Sequence, residues 1–214
     1  MWNYKSVGQP LIYLITDGAT TTENFIEKKK KILSLVETAV QTQISLIQIR
    51  EKRLLARLIY ELAAEAVKLT RHTATKLLVN ERADIALAAQ ADGVHLTSRS
   101  LSAGIIRKNF PKDFIVGVSA HSIEKAQIAK RQGADFVTVS PIFSSPNKGE
   151  PQGIEKLREV CQALKPFPVI ALGGINETNF AEVLETGASG FAAVRFLNNE
   201  ENLRKLAADL HKQT

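Results

Sequence analysis

Short runs of Leu, Ile and Val alternate along the whole chain with longer segments whose apolar residues recur every three or four positions. The runs are LIYLIT (11–16), SLIQIR (45–50), KLLVN (76–80), DGVHL (92–96), FIVGVS (114–119), DFVTVS (135–140), PVIALG (168–173) and GFAAVR (190–195). Near-continuous apolar runs suit strands buried on both faces, as in a parallel sheet. The segments between them, such as LLARLIYELAAEAVKL, IEKAQIAKRQG, TNFAEVLETG and ENLRKLAADLHK, carry the period of a helix with one buried side. Eight β-then-α units joined by right-handed crossovers close most naturally into a (β/α)8 TIM barrel of the α/β class. The rival is an open doubly wound sheet. No Gly-rich dinucleotide turn opens the chain, however, and eight units exceed the about six usual there.

Two repeats reinforce the barrel. QGADFVTVS and TGASGFAAV both end a helix in Gly-Ala and enter a strand at once, and AQADGVHL nearly does the same. Glycine just past a helix end takes the left-handed cap without steric cost. The 214 residues suit one domain over 1–214, with residues 1–10 as an N-terminal extension. No apolar run approaches the ~20 residues of a membrane span, and MWNYKSVGQP has no secretory pattern. A cytoplasmic protein without membrane contact is expected.

Composition adds little until charge is considered. The net charge is +6 with the Lys and Arg residues scattered, which suits small anionic ligands. Without interleaved aromatics, nucleic acid is not an expected partner. The one basic run, Lys28 to Lys31, lies on an amphipathic helix pattern and reads as a solvated face. The single cysteine, Cys161, excludes an internal disulfide and a cysteine metal site. It falls in a helical pattern and reads as a structural thiol.

A barrel carries its chemistry on the loops after its strands, so the residues at each strand end form the search space. QIREK places Gln48, Arg50 and Lys52 at alternate positions, and period two puts them on one face. An arginine fork and a lysine point charge there suit an anion; packing against acids is the other reading. VNERAD offers Asn80 as a ligand amide and Glu81 as a metal ligand, base or helix-start acid; Asp84 falls in the first turn of the next helix. GVSAHS gives Ser119 and His121, the latter a general acid or base or a structural residue, with Ser122 as an N-cap. The long loop SPIFSSPNKGEPQG carries Ser144, Ser145, Asn147 and Lys148, a polar set suited to a lid over an anion. In ALGGIN, Gly173 and Gly174 allow close backbone approach to a ligand, and Asn176 starts a helix. With Val194 and Arg195 after the last strand, this is where barrels commonly hold phosphate. Two anion sites indicate two phosphorylated ligands, or one ligand carrying a diphosphate.

Jointly, QIREK, NERADIALAAQADGVHL, GVSAHS, GADFVTVSPIFSSPNK and ALGGIN resemble the thiamine phosphate synthase family, which also contains thiazole tautomerases. The likeness runs from YLITD (13–17) to GFAAV (190–194). It implies a transferase of thiamine biosynthesis that joins hydroxymethylpyrimidine diphosphate to thiazole phosphate and releases diphosphate, assisted by Mg²⁺. It also implies a homodimer. By the family pattern, Gln48, Arg50, Lys52, Asn80 and Lys148 hold the pyrimidine diphosphate, and Ser119 lies close to the reacting groups. Gly173 and Gly174, with Ser145 and Asn147, take the thiazole phosphate. Ser145 and Asn147 stand where the family normally has Thr.

The departures concern the metal. Synthases carry Asp where this chain has Glu81, and another Asp where it has Ser100. Mg²⁺ demands oxygen ligands in octahedral array, so Glu81 is the remaining candidate. Arg195 replaces a small residue expected near the thiazole phosphate. The tautomerase branch needs no metal and transfers protons with the histidine that stands here as His121. Three readings stay open: the synthase, the metal-independent tautomerase, and a non-catalytic regulator that binds thiazole or thiamine phosphate.

Overall fold

The computed structural model describes residues 9–146 and 148–212. Most of the expected N-terminal extension, and Asn147, lie outside the described residues. Strand and helix alternate throughout: β1 (Leu11–Ile15), α1 (Phe25–Gln41), β2 (Leu46–Ile49), α2 (Ala56–Thr70), β3 (Lys76–Asn80), α3 (Ala83–Ala88), β4 (Gly93–Leu96) and α4 (Ala103–Asn109). They continue as β5 (Ile115–Ala120), α5 (Ile123–Arg131), β6 (Phe136–Val139), α6 (Gly153–Leu164), β7 (Val169–Leu172), α7 (Phe180–Glu185), β8 (Gly190–Ala193) and α8 (Glu200–Lys212). The strands follow one another in chain order around a closed barrel, the (β/α)8 architecture that the apolar periodicity predicts. No described helix is long and apolar enough to cross a membrane.

Two compact units divide the described chain: Tyr13–Val94 with residues 194–212, and residues 9–12 with His95–Ala193. In the first unit, β2 pairs in parallel with β1 and with β3. Every residue of β2 is buried, which is why its sequence does not alternate. Helix α1 buries Phe25, Ile32, Leu35, Val36 and Ala39, and α2 buries Leu58, Leu62, Ala63, Ala66 and Val67. Each fully buried Leu or Ile contributes about 1.5–3 kcal/mol, so these stripes outweigh the surface charges. The Lys28–Lys31 run is more than a solvated face. Lys29 Nζ sits 2.7 Å from Glu61 and 2.8 Å from Glu65 on α2.

In the second unit, β5 pairs with β6, β6 with β7 and β7 with β8, all in parallel. The buried side of α6 is Leu157, Val160, Cys161 and Leu164. Burial pushes the Cys161 thiol up to about 11, against the opposing bond to Thr186, so it stays a protonated structural thiol.

The repeats noted in the sequence are one latch used more than once. Asp92 accepts the Leu77 N–H through its carboxylate and donates its own N–H to the Leu77 carbonyl. Asp135 does the same with Val116, and its carboxylate also pairs with Arg107. Ser189 keeps the backbone half of the latch, donating to the Val169 carbonyl. The residue two before the latch reverses the chain with positive φ: Gly133 at 85° and Gly187 at 87°. Gln90 takes 60° at the equivalent place, a costlier cap because its Cβ crowds the backbone.

Candidate active site

In the first unit, the candidates sit at the ends of β2 and β3 and after β8. Along QIREK, exposure rises with distance from the strand: Gln48 is 1% exposed, Arg50 half-buried and Lys52 exposed. Gln48 therefore does not stand beside the two cations as an equivalent ligand group. Its amide Nε2 donates to the Tyr13 hydroxyl at 2.7 Å. Burial holds the Tyr13 phenol far above its ordinary pKa, the Gln48 bond opposing, so the hydroxyl is neutral. Arg50 is seated by its backbone N–H on Thr16 Oγ1 at 2.8 Å. Its guanidinium reaches Gly18, where a Cβ would lie 3.1 Å from Nη1 and the backbone has φ 74°. The intervening Glu51 is buried and accepts the Thr20 N–H at 3.1 Å, which fastens the β1–α1 loop to the end of β2.

Glu81 is the strained residue of this half. It lies at φ 60°, and the Arg82 N–H reaches across it to the Asn80 carbonyl at 2.7 Å. A hydrogen bond spanning one residue of positive φ makes a γ-turn of the strained hand. Such outliers cost about 1–3 kcal/mol and cluster at functional positions. Asn80 Nδ2 donates to Glu81 Oε2 at 3.1 Å, so the two expected ligand residues are mutually oriented. Asp84 sits in the first turn of α3 and pairs with Arg82, a structural role. Val194 is half-buried and Arg195 exposed. Asn198 secures that turn, donating to the carbonyls of Val194 at 2.6 Å and Ile15 at 2.7 Å.

In the second unit, backbone approach sets the geometry. Gly173 has φ 104° and Gly174 φ 71°. A Cβ on Gly173 would fall 2.8 Å from Pro141 Cα, and one on Gly174 2.6 Å from Phe143 Cβ and 2.7 Å from the Ser144 carbonyl oxygen. The paired glycines were expected to admit a ligand; the space they leave is taken first by the chain's own 141–144 segment. Ile142 and Phe143 donate to the carbonyls of Leu172 and Gly173 at 3.0 and 2.9 Å, so the loop after β6 begins as a continuation of the sheet. Beyond it, half-buried Ser145 bonds to the Phe143 carbonyl, and the N–H of exposed Lys148 donates to the Ser145 carbonyl at 3.3 Å. Asn176 heads a turn rather than a helix. It accepts from Thr178, while α7 begins at Phe180 behind Asn179.

His121 is exposed, and its Nδ1 lies 2.9 Å from the Ser140 carbonyl oxygen, which also accepts from Gln152 Nε2 at 2.7 Å. A carbonyl can only accept, so Nδ1 carries a proton, and in the neutral ring Nε2 is then the nitrogen with the lone pair. Ser122 caps α5 as expected, accepting the Lys125 N–H. Ser100 closes a turn: its Oγ accepts the Thr97 N–H at 2.9 Å, and its N–H returns to the Thr97 carbonyl. Ser119 is half-buried, and its Oγ lies 3.0 Å from His95 Nε2. Two residues of this half went unassigned in the sequence, His95 and Thr138. The signal was available, since period two puts Ser119 on the same face as Gly117, and a glycine inside a strand marks a close approach.

A family model described as thiamine monophosphate synthase matches residues 12–197. The chain is 43% identical over 187 residues to the putative thiamine-phosphate synthase 2 of Aquifex aeolicus, covering 86% of this chain and 96% of that one. It is 36% identical over 201 residues to the thiamine-phosphate synthase of Clostridium tetani, covering 93% of each. Among solved structures, the thiamine phosphate pyrophosphorylase from Pyrococcus furiosus superposes with a TM-score of 0.77 at 30% identity, covering 93% of this chain and 96% of that one.

Proposed function

The chain belongs to the thiamine monophosphate synthase family, and on that premise we propose that it joins hydroxymethylpyrimidine diphosphate to thiazole phosphate. The carbon–oxygen bond to diphosphate breaks, the thiazole nitrogen forms the new carbon–nitrogen bond, and thiamine phosphate and diphosphate leave. Nothing is oxidised or reduced. The observation that carries the reading is the family match over residues 12–197, with Arg50 and Lys52 present just after β2.

In this reading Arg50, Lys52 and Lys148 bind the diphosphate, and Asn80 and Gln48 orient the pyrimidine end. Tyr13 holds the Gln48 amide in one orientation. Ser145, Asn147, Gly173, Gly174, Val194 and Arg195 take the thiazole phosphate. Ser119 lies close to the reacting groups. Catalysis is then mostly stabilisation of the negative charge that grows on the leaving diphosphate.

Mg²⁺ is commonly held by one or two carboxylates, with substrate phosphates and water completing the shell. Among the described residues, no group of three His, Cys, Asp or Glu could hold an ion unaided. Glu81 supplies one half-exposed carboxylate, while the Ser100 hydroxyl already accepts the Thr97 N–H. The residues fit a one-carboxylate arrangement in which Glu81 would hold the ion. When bound, Mg²⁺ neutralises charge on the departing diphosphate.

One observation favours a second reading. With Nδ1 tied to the Ser140 carbonyl, the neutral His121 ring presents Nε2 as its proton-accepting atom, as a thiazole tautomerase needs. The reading as a whole carries a cytoplasmic location and a pairing of two chains with it. The deciding experiment measures diphosphate and thiamine phosphate formation from the two purified substrates, with Mg²⁺ and then with a chelator. Metal-dependent product is the expected result. Its absence overturns the synthase reading and sends the same sample to a thiazole aromatisation assay with His121→Ala as control.

A further inference from the structure

Between the two cations of QIREK stands a carboxylate that the proposed chemistry does not use. Glu51 is 2% exposed, whereas Arg50 is half-buried and Lys52 exposed. Its Oε2 accepts the Thr20 N–H at 3.1 Å, and its backbone carbonyl accepts from Leu54 in the turn that leads to α2. Oε1 meets no hydrogen-bond partner among the described residues. The carboxylate is therefore tied at one point, to the backbone of the β1–α1 loop. Removing that tie has one direct structural consequence, the release of the loop.

The loop is braced at both ends around Arg50. At its start, Thr16 donates its N–H to the Gln48 carbonyl at 3.0 Å, and Thr16 Oγ1 accepts the Arg50 N–H at 2.8 Å. At its end stands Thr20, the residue Glu51 holds. In between, Asp17 Oδ1 accepts the Ala19 N–H at 2.9 Å, and beyond it Asn24 Oδ1 accepts the Thr21 N–H at 2.8 Å. The anchors fall on residues 48, 50 and 51, so the loop is drawn over the arginine. Gly18 is the point of contact. A Cβ there would lie 3.1 Å from both Nη1 and the carbonyl oxygen of Arg50, in a backbone of φ 74°. Glycine permits both the conformation and the close approach. A long arginine side chain has many rotamers to lose on binding, and a backbone wall on one side removes some of them beforehand.

We propose that Glu51 is a positioning residue for Arg50: by holding Thr20 it keeps the Gly18 turn against the guanidinium, which is thereby partly ordered before an anion binds. The role requires an acceptor that reaches Thr20 and does not require a negative charge, which separates it from that of a counter-ion. This inference rests on the proposed reading in which Arg50 binds the diphosphate. It deepens that reading by giving the buried acid between the two cations a part in it.

Two measurements test it. In ¹⁵Nε relaxation of the ligand-free protein, the Arg50 guanidinium is expected to be ordered in the parent and in Glu51→Gln, and distinctly more mobile in Glu51→Leu. Arg107, held by Asp135 in the other unit, serves as the unchanged control. An Arg50 equally ordered in Glu51→Leu overturns the proposal whether or not the protein turns over substrate. In steady-state kinetics, Glu51→Leu is expected to raise the KM for the pyrimidine diphosphate about fivefold, the cost of ordering one long side chain on binding. The KM for thiazole phosphate should stay within about twofold. Glu51→Gln, which keeps an acceptor of the same reach, should restore the first KM to within about twofold of the parent. In an Arg50→Ala background, Glu51→Leu should add nothing, because it acts through that side chain. Additive losses, equal changes in both KM values, or a Glu51→Gln as impaired as Glu51→Leu overturn the proposal. Should Glu51→Leu fail to fold, Glu51→Asp, whose carboxylate stops one methylene short of Thr20, takes its place in both measurements. A wild-type protein without synthase activity sinks the functional reading and leaves the relaxation result to judge the positioning of Arg50.

Discussion

In the first unit, the candidate ligand-binding groups lie at the tips of side chains: Lys52 and Arg195 are exposed, and Arg50, Asn80 and Glu81 half-buried. In the second unit, the candidate atoms are backbone, with Gly173 and Gly174 pressed against the 141–144 segment, or lie in the part-buried cluster of Thr138, Ser119 and His95. The difference has energetic consequences. A charged side chain on a surface turn can be removed with small effect on folding, because little packing depends on it. A Cβ added where backbone meets backbone has nowhere to go in a close-packed interior. Function and stability should therefore separate cleanly in the first unit and remain entangled in the second.

The largest effect that would test this contrast is expected from Gly174→Ala. The methyl would sit 2.6 Å from Phe143 Cβ in a backbone of φ 71°. Overpacking and left-handed strain together should lower stability by roughly 3 kcal/mol, visible as a shifted urea or thermal midpoint. A variant as stable as the parent would show that the loop after β6 yields readily, and would dissolve the contrast between the units.

Next comes Arg50→Ala. Charge-assisted hydrogen bonds contribute about 1.5–3 kcal/mol each, so kcat/KM for the pyrimidine diphosphate should fall about a hundredfold. The thiazole phosphate KM and the unfolding midpoint should barely change. Equal loss for both substrates would refute the assignment of Arg50 to the diphosphate.

Glu81→Gly sharpens the comparison at the one point where the first unit also depends on its backbone. Removing the side chain relieves the left-handed strain at φ 60°, offset in part by the extra entropy of glycine. A net gain in stability of about 0.5 kcal/mol is expected, together with a loss of Mg²⁺-dependent turnover. Unchanged turnover would remove Glu81 from the metal site, and a large loss of stability would show that its bond from Asn80 outweighs the strain.

The strands and helices were legible because burial on both faces writes continuous apolar runs, and burial on one face writes a period near 3.6. The QIREK cations and the Glu81 and Ser100 departures were legible because charge type and spacing are sequence properties. Other features were not. Gln48 shares a face with Arg50 by period two, yet its burial and its bond to Tyr13 depend on β1 lying beside β2. The glycine pair reads as a ligand approach, and only the packed chain reveals that Pro141 and Phe143 need the same space. Gln90 looks like a break in the Gly-Ala repeat, whereas the backbone turns there as it does at Gly133 and Gly187.

By itself the sequence determined the order and kind of the elements, the positions of the charged candidate groups and the family to which the chain belongs. These follow from local periodicity and residue chemistry, which need no knowledge of distant neighbours. The tertiary structure alone decided which hydroxyl meets His95, which nitrogen of His121 is tied to a carbonyl and what the paired glycines make room for. Each of those is a contact between residues far apart in the chain, where the direction of a hydrogen bond or the width of a gap is set by packing.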